Sequence, residues 1–315
     1  MPLLQEAAQN VCFMGSLNYY ASVTKVCNRK SATPKAKTAL FEIVFLGTGG
    51  GRFATITQKL RTGGIRILSE DLNVHLDPGP GALVYSLEAG LDPQKLDGII
   101  VSHSHIDHTN DAAVLIEAMT NGGTRKRGFL AASHSVLYGN EVCDKAISRY
   151  HLNLPERIIE ARVGESFTMG NVYVKVLRAV HSDPETVGFK FETGNYGSFA
   201  YMPDSEYYEG ISDSLRGTRL LILSVLRPSE KPWKGHMSTD DAIRIINEVR
   251  PEVAVMTHLG TLLIIKGPDG EASYIQKSTR TTTKAAKDGM RISFGDKILF
   301  KASKEQADLT SFMQP

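Results

Sequence analysis

Cysteine, tryptophan, long apolar runs and net charge are all scarce in this sequence. Three cysteines in 315 residues are odd in number and widely spaced, which argues against a disulfide framework and predicts a reducing compartment, the cytoplasm. No apolar run approaches the roughly 20 residues of a membrane helix, so we expect no membrane partner. A net charge of +2 gives no electrostatic reason to expect binding to nucleic acid or to a membrane surface.

The composition is that of a globular protein with a full core, at 42% hydrophobic and 22% charged residues. The start of the chain differs, because the stretch 7–40 contains five basic side chains and no acidic one. We predict that residues 1–38 form a basic, flexible extension, with a transit peptide or a true start at Met14 as alternatives. No linker-like segment interrupts 41–302, so residues 39–305 are predicted to form one domain, followed by a tail at 306–315.

The stretch 97–108 carries the densest chemistry of the chain. Its apolar run Ile99–Val101 is typical of a buried strand. The residues that follow the strand are His103, His105, Asp107 and His108. Alternate residues of an extended segment point the same way, so His103 and His105 can hold one ion together. The chain must turn beyond the strand, so Asp107 and His108 can face a second ion. Imidazole with carboxylate suits zinc, manganese or iron.

Further polar side chains follow strand-like segments later in the chain. They are His181 after 172–177, Asp204 after 198–202 and His258 after 253–256. Two ions, each with three or four protein ligands and an open position, need about six or seven groups. We assign His103, His105 and His181 to one ion, Asp107, His108 and His258 to the other, and Asp204 to a bridge. The remaining histidines that we expect to be structural are His75, His134 and His151.

Strand-like and helix-like segments alternate along the chain, which predicts sheets covered by helices. Ser238 followed by Asp241 predicts a capped start for an amphipathic helix over 239–249. Another helix is predicted near 278–287, and a hairpin is predicted around Gly295-Asp296.

Three loops have two interpretations each. The glycine loop 47–52 lacks the lysine of a P-loop, so it is either a tight turn or a place where backbone amides approach an anion. The basic loop 121–128 either touches a phosphate-bearing substrate or is simply solvated. The loop 227–234 contains the single tryptophan, Trp233, and either covers the substrate or is exposed without a role.

The order of the candidate ligands resembles that of the metallo-β-lactamase superfamily. The resemblance rests on His103-Ser-His-Ile-Asp-His108, followed by His181, Asp204 and His258. It spans about 41–300 and implies an α/β, four-layer αββα sandwich of two mixed β-sheets flanked by helices. It also implies two divalent metal ions at one edge, with zinc expected and manganese or iron as alternatives. Asp77 resembles the family's aspartate that orients a ligand histidine, and a plain turn residue before Pro-Gly is the alternative.

Other segments resemble ribonuclease Z and the cyclic phosphodiesterases related to it. They are Phe45-Leu-Gly-Thr-Gly49, His181–Phe189 and Gly235-His-Met-Ser238. In that branch the histidine at the position of His236 is similar to a proton donor or phosphate contact, and a helix start there favours an anion. Ribonuclease Z also has a long basic arm that grips transfer RNA. This sequence has no obvious equivalent, which favours a smaller phosphodiester.

We therefore predict a dinuclear metal-dependent hydrolase, most similar to a phosphodiesterase. A metal-bridging hydroxide is expected to attack phosphorus, with His236 as proton donor or phosphate contact and Asp107 as both ligand and catalytic residue. The expected partner is a small phosphodiester or nucleotide, with RNA as an alternative, and the chain is a candidate homodimer. The alternative functions are hydrolysis of a lactone, thioester or β-lactam, RNA 3′-end processing of the ribonuclease Z type, and a non-catalytic metal-stabilised domain.

Overall fold

The computed structural model describes residues 40–301, in which two mixed β-sheets form the centre of the fold. The first sheet contains β1 (Phe41–Gly47), β2 (Thr62–Ser69), β3 (Leu72–Leu76), β4 (Gly98–Val101), β5 (Phe129–Ala132), β6 (Arg157–Glu160), β15 (Arg291–Phe294) and β16 (Ile298–Lys301). The second contains β7 (Ser166–Met169), β8 (Val172–Arg178), β9 (Val187–Glu192), β10 (Ser198–Met202), β11 (Thr218–Arg227), β12 (Met237–Ser238), β13 (Val253–Thr257) and β14 (Thr282–Ala285). The predicted extension at 1–38 and the tail at 306–315 lie outside the described residues.

Helices cover the outer face of each sheet. They are α1 (Arg52–Thr57), α2 (Ala82–Glu88), α3 (Ile106–Thr109), α4 (Ala112–Met119), α5 (His134–Tyr138), α6 (Arg149–Leu152), α7 (Ile211–Leu215), α8 (Thr239–Val249), α9 (Thr261–Lys266) and α10 (Pro268–Thr279). Apolar side chains of α2, α4 and α5 are buried against β4 and β5. Those of α7, α8 and α10 are buried against β11 and β13. The αββα sandwich expected from the sequence is therefore confirmed.

The core between the sheets is rich in phenylalanine. Phe191 and Phe199 stack with ring centroids 4.6 Å apart, and Phe294 of the first sheet meets Phe199 edge-on at 5.3 Å. Each of these rings is almost completely buried, and burying such a side chain stabilises the fold by about 1.5–3 kcal/mol. This apolar contact fixes one sheet against the other and so sets the spacing of the edge where their strands end.

Parallel strands in both sheets bring polar residues to one edge. In the first sheet β3, β4, β5 and β6 are parallel neighbours in that order. In the second sheet β10, β11, β13 and β14 are parallel neighbours. Ligands of open α/β sheets bind outside the carboxyl ends of such strands. The segments after β4, β10 and β13 carry predicted ligands, and Asp77 follows β3.

The helix over 239–249 begins as predicted. The Ser238 side chain accepts a hydrogen bond from the Asp241 amide, and the Asp241 carboxylate accepts one from the Ser238 amide, which completes a capping box. The hairpin around Gly295-Asp296 is also present, between β15 and β16.

The helix predicted near 278–287 is wrong. Helix α10 starts earlier and ends at Thr279, because Arg280 adopts a left-handed conformation with a φ of 59°. Thr282 and Thr283 then pair with β13 as strand β14. Their β-branched side chains favour an extended backbone, and the neighbouring strand supplies the partner that a local pattern cannot show.

None of the helices in the described part of the chain is both long and apolar enough to cross a membrane.

Candidate metal centre

Five segments from the two sheets deliver the candidate ligands to one place. From the first sheet, the extended segment after β4 carries His103 and His105, and the short helix α3 carries Asp107 and His108. From the second sheet, His181 follows β8, Asp204 follows β10 and His258 follows β13. His258 itself adopts a left-handed backbone conformation, with a φ of 54°. Each candidate ligand therefore lies beyond the end of a strand, as the sequence predicts.

The first ligand group consists of His103, His105 and His181. Nδ1 of His105 lies 3.1 Å from Nε2 of His103 and 3.1 Å from Nε2 of His181. His103 is fully buried, and the other two are partly buried. Three imidazole nitrogens thus converge on one point from three directions, as the ligands of a tetrahedral or five-coordinate ion do.

The second ligand group consists of Asp107, His108 and His258. Nε2 of His258 lies 3.2 Å from Oδ2 of Asp107 and 3.2 Å from Nε2 of His108. The His108 and His258 rings are stacked with centroids 5.0 Å apart. Two nitrogens and one carboxylate oxygen therefore face a second point beside the first group.

Asp204 lies between the two groups and reaches both. Its Oδ2 is 3.9 Å from Nε2 of His103, 3.7 Å from Nε2 of His181 and 3.8 Å from Nε2 of His108. Its Oδ1 is 3.0 Å from Nδ1 of His258, in a geometry that makes no hydrogen bond. A buried carboxylate with an unsatisfied oxygen, facing four imidazoles of the ligand groups, fits a place beside bound cations.

The family model of the Beta-lactamase superfamily domain matches residues 72–259, more than half of the chain and a span that contains both ligand groups. The chain belongs to the metallo-β-lactamase superfamily. It is therefore a metal-dependent hydrolase, and its histidine and aspartate groups suit divalent cations.

The chain is also similar to individual proteins and to solved structures. An uncharacterized protein of Methanocaldococcus jannaschii is 37% identical over 253 residues, covering 80% of this chain and 94% of the relative. Ribonuclease Z of Methanopyrus kandleri is 24% identical over 197 residues, covering 62% of this chain and 63% of that enzyme. The crystal structure of the metallo-β-lactamase fold protein YhfI of Bacillus subtilis covers 81% of this chain and 99% of its own, with a TM-score of 0.68 at 20% identity.

Hydrogen bonds in this hydrolase turn three imidazoles so that Nε2 faces the centre. Nδ1 of His181 donates to the carbonyl oxygen of Gly235 at 2.7 Å. Nδ1 of His108 donates to Oδ2 of Asp77 at 2.9 Å. The hydroxyl of Ser102 donates to Asp77, so it accepts from Nδ1 of His103 at 2.9 Å. With Nδ1 as the donor, a neutral imidazole presents the lone pair of Nε2 inward, which is the form that binds a metal ion.

Asp77 and its partners form a buried network under the ligands. The Asp77 carboxylate accepts from the Ser102 amide at 2.7 Å, the Ser102 hydroxyl at 2.7 Å and the Tyr201 hydroxyl at 2.9 Å. Tyr201 is fully buried, and burial beside Asp77 raises its pKa well above the usual value, so it stays protonated and donates. Asp77 has the contacts expected of a residue that orients a ligand histidine.

The pKa directions of the metal-free centre differ between the two groups. Burial lowers the pKa of His103 well below its usual value and lowers that of His105, and neighbouring imidazoles act the same way. Burial opposes protonation of His108 and His258 too, but nearby carboxylates outweigh it. Asp107 and Asp77 raise the pKa of His108, and Asp204 and Asp107 raise the pKa of His258 to about 10.

The glycine loop 47–52 does approach an anion, and the anion is a side chain of the second group. The Gly51 amide donates to Oδ2 of Asp107 at 2.8 Å. A Cβ at Gly50 would lie 2.1 Å from Cδ2 of His258, so no larger residue fits there. The loop therefore belongs to the support of the metal centre rather than to a nucleotide-binding loop.

Two further loops lie away from the centre or beside it. The basic loop 121–128 precedes β5, so it lies at the opposite end of the strands from the ligands. Arg127 pairs there with Asp97 at 3.5 Å. This position favours the solvated interpretation. In the loop 227–234, Trp233 is 59% exposed and packs against Arg227, whose guanidinium carbon lies 5.0 Å from the ring centroid.

The three histidines expected to be structural are not among the ligand groups. His75 is buried in β3 and contacts the carbonyl oxygen of Gly63. His151 pairs with Glu117 at 3.1 Å. His134 pairs with Glu160 at 2.9 Å, beside a cavity.

Sequence reasoning missed two buried groups that support the ligands, Tyr201 and Asp183. Asp183 accepts from the Ser104 amide at 3.0 Å and the Ser104 hydroxyl at 2.8 Å, and so fixes the residue between His103 and His105. The available signal was weak: a tyrosine inside an apolar strand needs a buried partner for its hydroxyl, and an aspartate two residues after His181 lies close to the ligands.

Proposed function

We propose that this hydrolase cleaves phosphodiesters, with two divalent ions that the two ligand groups and Asp204 would hold. Zinc is the expected metal, and manganese or iron would suit the same nitrogen and carboxylate ligands. Bound ions would supply Lewis acidity and lower the pKa of a water molecule. The observation that carries the phosphodiester assignment is the position of His236.

His236 stands beside the centre without belonging to either ligand group. Its Nδ1 lies 3.6 Å from Oδ2 of Asp204, and its ring centroid lies 4.7 Å from that of His181. Nδ1 is buried and makes no hydrogen bond within the described residues. An imidazole with an unsatisfied nitrogen beside a cation site is a suitable contact for an oxygen of a tetrahedral phosphate.

The pKa of His236 favours the contact role over that of proton donor. Burial lowers this pKa to about 4, although Asp204 acts in the opposite direction. The imidazole is then neutral at pH 7, and its N–H can donate a hydrogen bond to a phosphate oxygen of the substrate without giving up the proton. A general acid works best with a pKa near the operating pH, and this one lies well below it.

The surroundings of the centre support a small substrate over transfer RNA. The longest basic glycine-rich loop in the described part of the chain is 121–128, and it lies at the opposite sheet edge. The similarity to ribonuclease Z supports phosphodiester chemistry in general, and residues 40–301 contain no long basic arm that would grip a folded RNA. A nucleotide-sized diester is therefore the substrate class that we favour.

The carbonyl alternative uses the same ligand groups. A lactone, thioester or β-lactam would need no contact at the position of His236, because attack on a planar carbonyl creates one oxyanion rather than two charged phosphate oxygens. The role of His236 therefore distinguishes the two classes.

The test is a substrate panel with wild type, H236A and H236Q, each assayed for metal content. We expect hydrolysis of bis(p-nitrophenyl) phosphate and of an unactivated diester, and little turnover of lactone or thioester. H236A should keep its metal. Its kcat/KM should fall roughly 10²-fold on both diesters alike, as expected when a charge-stabilising donor is lost. H236Q should recover part of the lost kcat/KM. A loss confined to the unactivated diester would assign a proton-donor role instead. Carbonyl turnover untouched by H236A would overturn the proposal.

A further inference from the structure

The cavity beside His134 lies outside the metal centre and has a volume of about 390 Å³. Its polar side is formed by His134, Glu160, Arg162 and Glu185, and its apolar side includes Val163 and Pro184. We call it the distal pocket. None of these residues belongs to a ligand group or to the network of Asp77.

The distal pocket lies on the same sheet edge as the ligands. His103 follows β4, His134 follows its parallel neighbour β5, and Arg162 follows the next neighbour, β6. Adjacent strands are about 4.8 Å apart, so the end of β6 lies about 10 Å along the edge from the end of β4. That separation suits a ligand that has one end in the metal centre and the other in the pocket.

Hydrogen bonds join the wall of the pocket to the loop of the ligands. The amide of Val187, which lines the pocket, donates to the carbonyl oxygen of Ser102 at 3.1 Å. Asp183 accepts from the Ser104 amide on one side and from the Ser135 hydroxyl at 2.6 Å on the other. Ser135 follows His134, and Pro184 follows Asp183. The pocket and the metal centre are therefore held in a fixed relation by buried contacts.

The polar side of the pocket is nearly charge-balanced and still has free hydrogen-bonding positions. Glu160 accepts from Nδ1 of His134 at 2.9 Å and from Nε and Nη2 of Arg162 at 2.8 and 3.0 Å. This arrangement leaves Nε2 of His134 as a free hydrogen-bonding position and Nη1 of Arg162 as a donor. The Arg162 side chain is 60% exposed. Glu185 adds one more acceptor.

The charge and the free hydrogen-bonding positions of the distal pocket favour some chemical groups of a ligand over others. A second phosphate would meet two carboxylates and one guanidinium that is already paired, which disfavours it. An acyl chain would leave the polar side without partners. A flat heterocycle suits both sides, because its edge carries donors and acceptors and its faces pack against Val163, Pro184 and Val187.

We propose that the distal pocket binds the nucleobase of a nucleoside phosphodiester whose phosphate lies in the metal centre. The inference rests on the proposed function for the phosphate, but the pocket itself can be tested without turnover. Val163 and Arg162 would then determine which nucleobase the enzyme prefers.

The first experiment measures binding of free adenosine, guanosine, cytidine and uridine to the metal-free protein by saturation-transfer NMR. At least one nucleoside should bind wild type, and its affinity should fall about tenfold or more in V163W, which fills the pocket, and in R162A, which removes the donor. V84W is the matched control, since Val84 and Val163 are 52% and 55% exposed and Val84 lies on α2. Binding by no nucleoside, or binding unaffected by both pocket variants, would overturn the inference.

The second experiment compares bis(p-nitrophenyl) phosphate with thymidine 5′-(p-nitrophenyl phosphate) on metal-loaded protein. We expect wild type and V84W to prefer the thymidine ester, mainly through KM, and V163W to lose about tenfold of that preference. An equal preference in V163W and V84W would contradict the pocket assignment. If neither diester is hydrolysed, the proposed function fails, and the nucleoside titration decides the pocket separately.

Discussion

The two ligand groups of the metal centre lie side by side but hold charge in different ways. The first group, His103, His105 and His181, is made of imidazoles, and burial keeps the pKa of His103 and His105 low. The second group contains Asp107, and carboxylates raise the pKa of both His108 and His258. The first group is therefore ready for a cation, whereas the second must release protons before it binds one. Protonation is thus disfavoured at His103 and His105 and favoured at His108 and His258.

Removal of a ligand should have the largest effect, and H105A removes one from the first group. We expect loss of metal from that group and a fall in diester hydrolysis of at least about 100-fold, beyond the roughly 10–100-fold cost of losing a merely orienting residue. Elemental analysis of purified protein gives the metal content per chain. H151A is the control, because His151 pairs with Glu117 outside the centre. Full metal retention in H105A would refute the ligand assignment.

The pH dependence of the metal-free protein should separate the two groups. Because the pKa of His258 is raised from 6.5 to about 10, its contribution to stability is complete below pH 6.5 and is lost as the pH rises toward 10. Because the pKa of His103 and His105 is lowered, their neutral forms are favoured in the fold, and stability falls as the pH drops below 6.5.

Urea midpoints of the metal-free protein at pH 5, 6.5 and 9 test this difference. From the metal centre alone we expect the highest midpoint near pH 6.5. The variant H258Q should abolish the decline on the alkaline side and leave that on the acidic side, while H151Q should change neither. A decline toward pH 9 that persists in H258Q would show that the second group does not carry those protons.

The smallest effect is expected from Y201F, which removes one hydrogen bond to Asp77. A buried hydrogen bond of this kind contributes about 1 kcal/mol, so the free energy of unfolding should fall by about that amount. Metal affinity should weaken a few-fold in the second group, through His108. Y173F is the control, since the Tyr173 hydroxyl contacts Ser166 at an exposed position. Equal losses in both variants would mean that Asp77 does not transmit the effect.

The sequence was most informative where a residue's place follows from the strand before it. Asp204 and His258 were predicted because each follows a strand-like segment and completes the set of ligands that two ions need, and the structure places both beside the other candidate ligands. Asp183 was not predicted, because its partners Ser104 and Ser135 lie 79 and 48 residues away in the chain. The error at 278–287 has the same origin: Thr282 and Thr283 extend because β13 is beside them, and no local pattern shows that neighbour.

The distal pocket also depends on distant parts of the chain. His134 was expected to be structural, and its pairing with Glu160 is a structural contact. Its place beside Arg162 and Pro184 depends on the order of β4, β5 and β6 and on the return of the chain at Asp183. Only the assembled edge shows that a pocket and the metal centre share it.

A titration of metal-free protein with zinc, followed by hydrolysis of bis(p-nitrophenyl) phosphate, tests the central claim most directly. We predict that activity rises with added zinc and reaches its plateau at two equivalents per chain, with manganese or iron giving the same stoichiometry if they replace zinc. A plateau at one equivalent would contradict the two-ion centre. Full occupancy by two ions without diester hydrolysis would contradict the phosphodiesterase assignment.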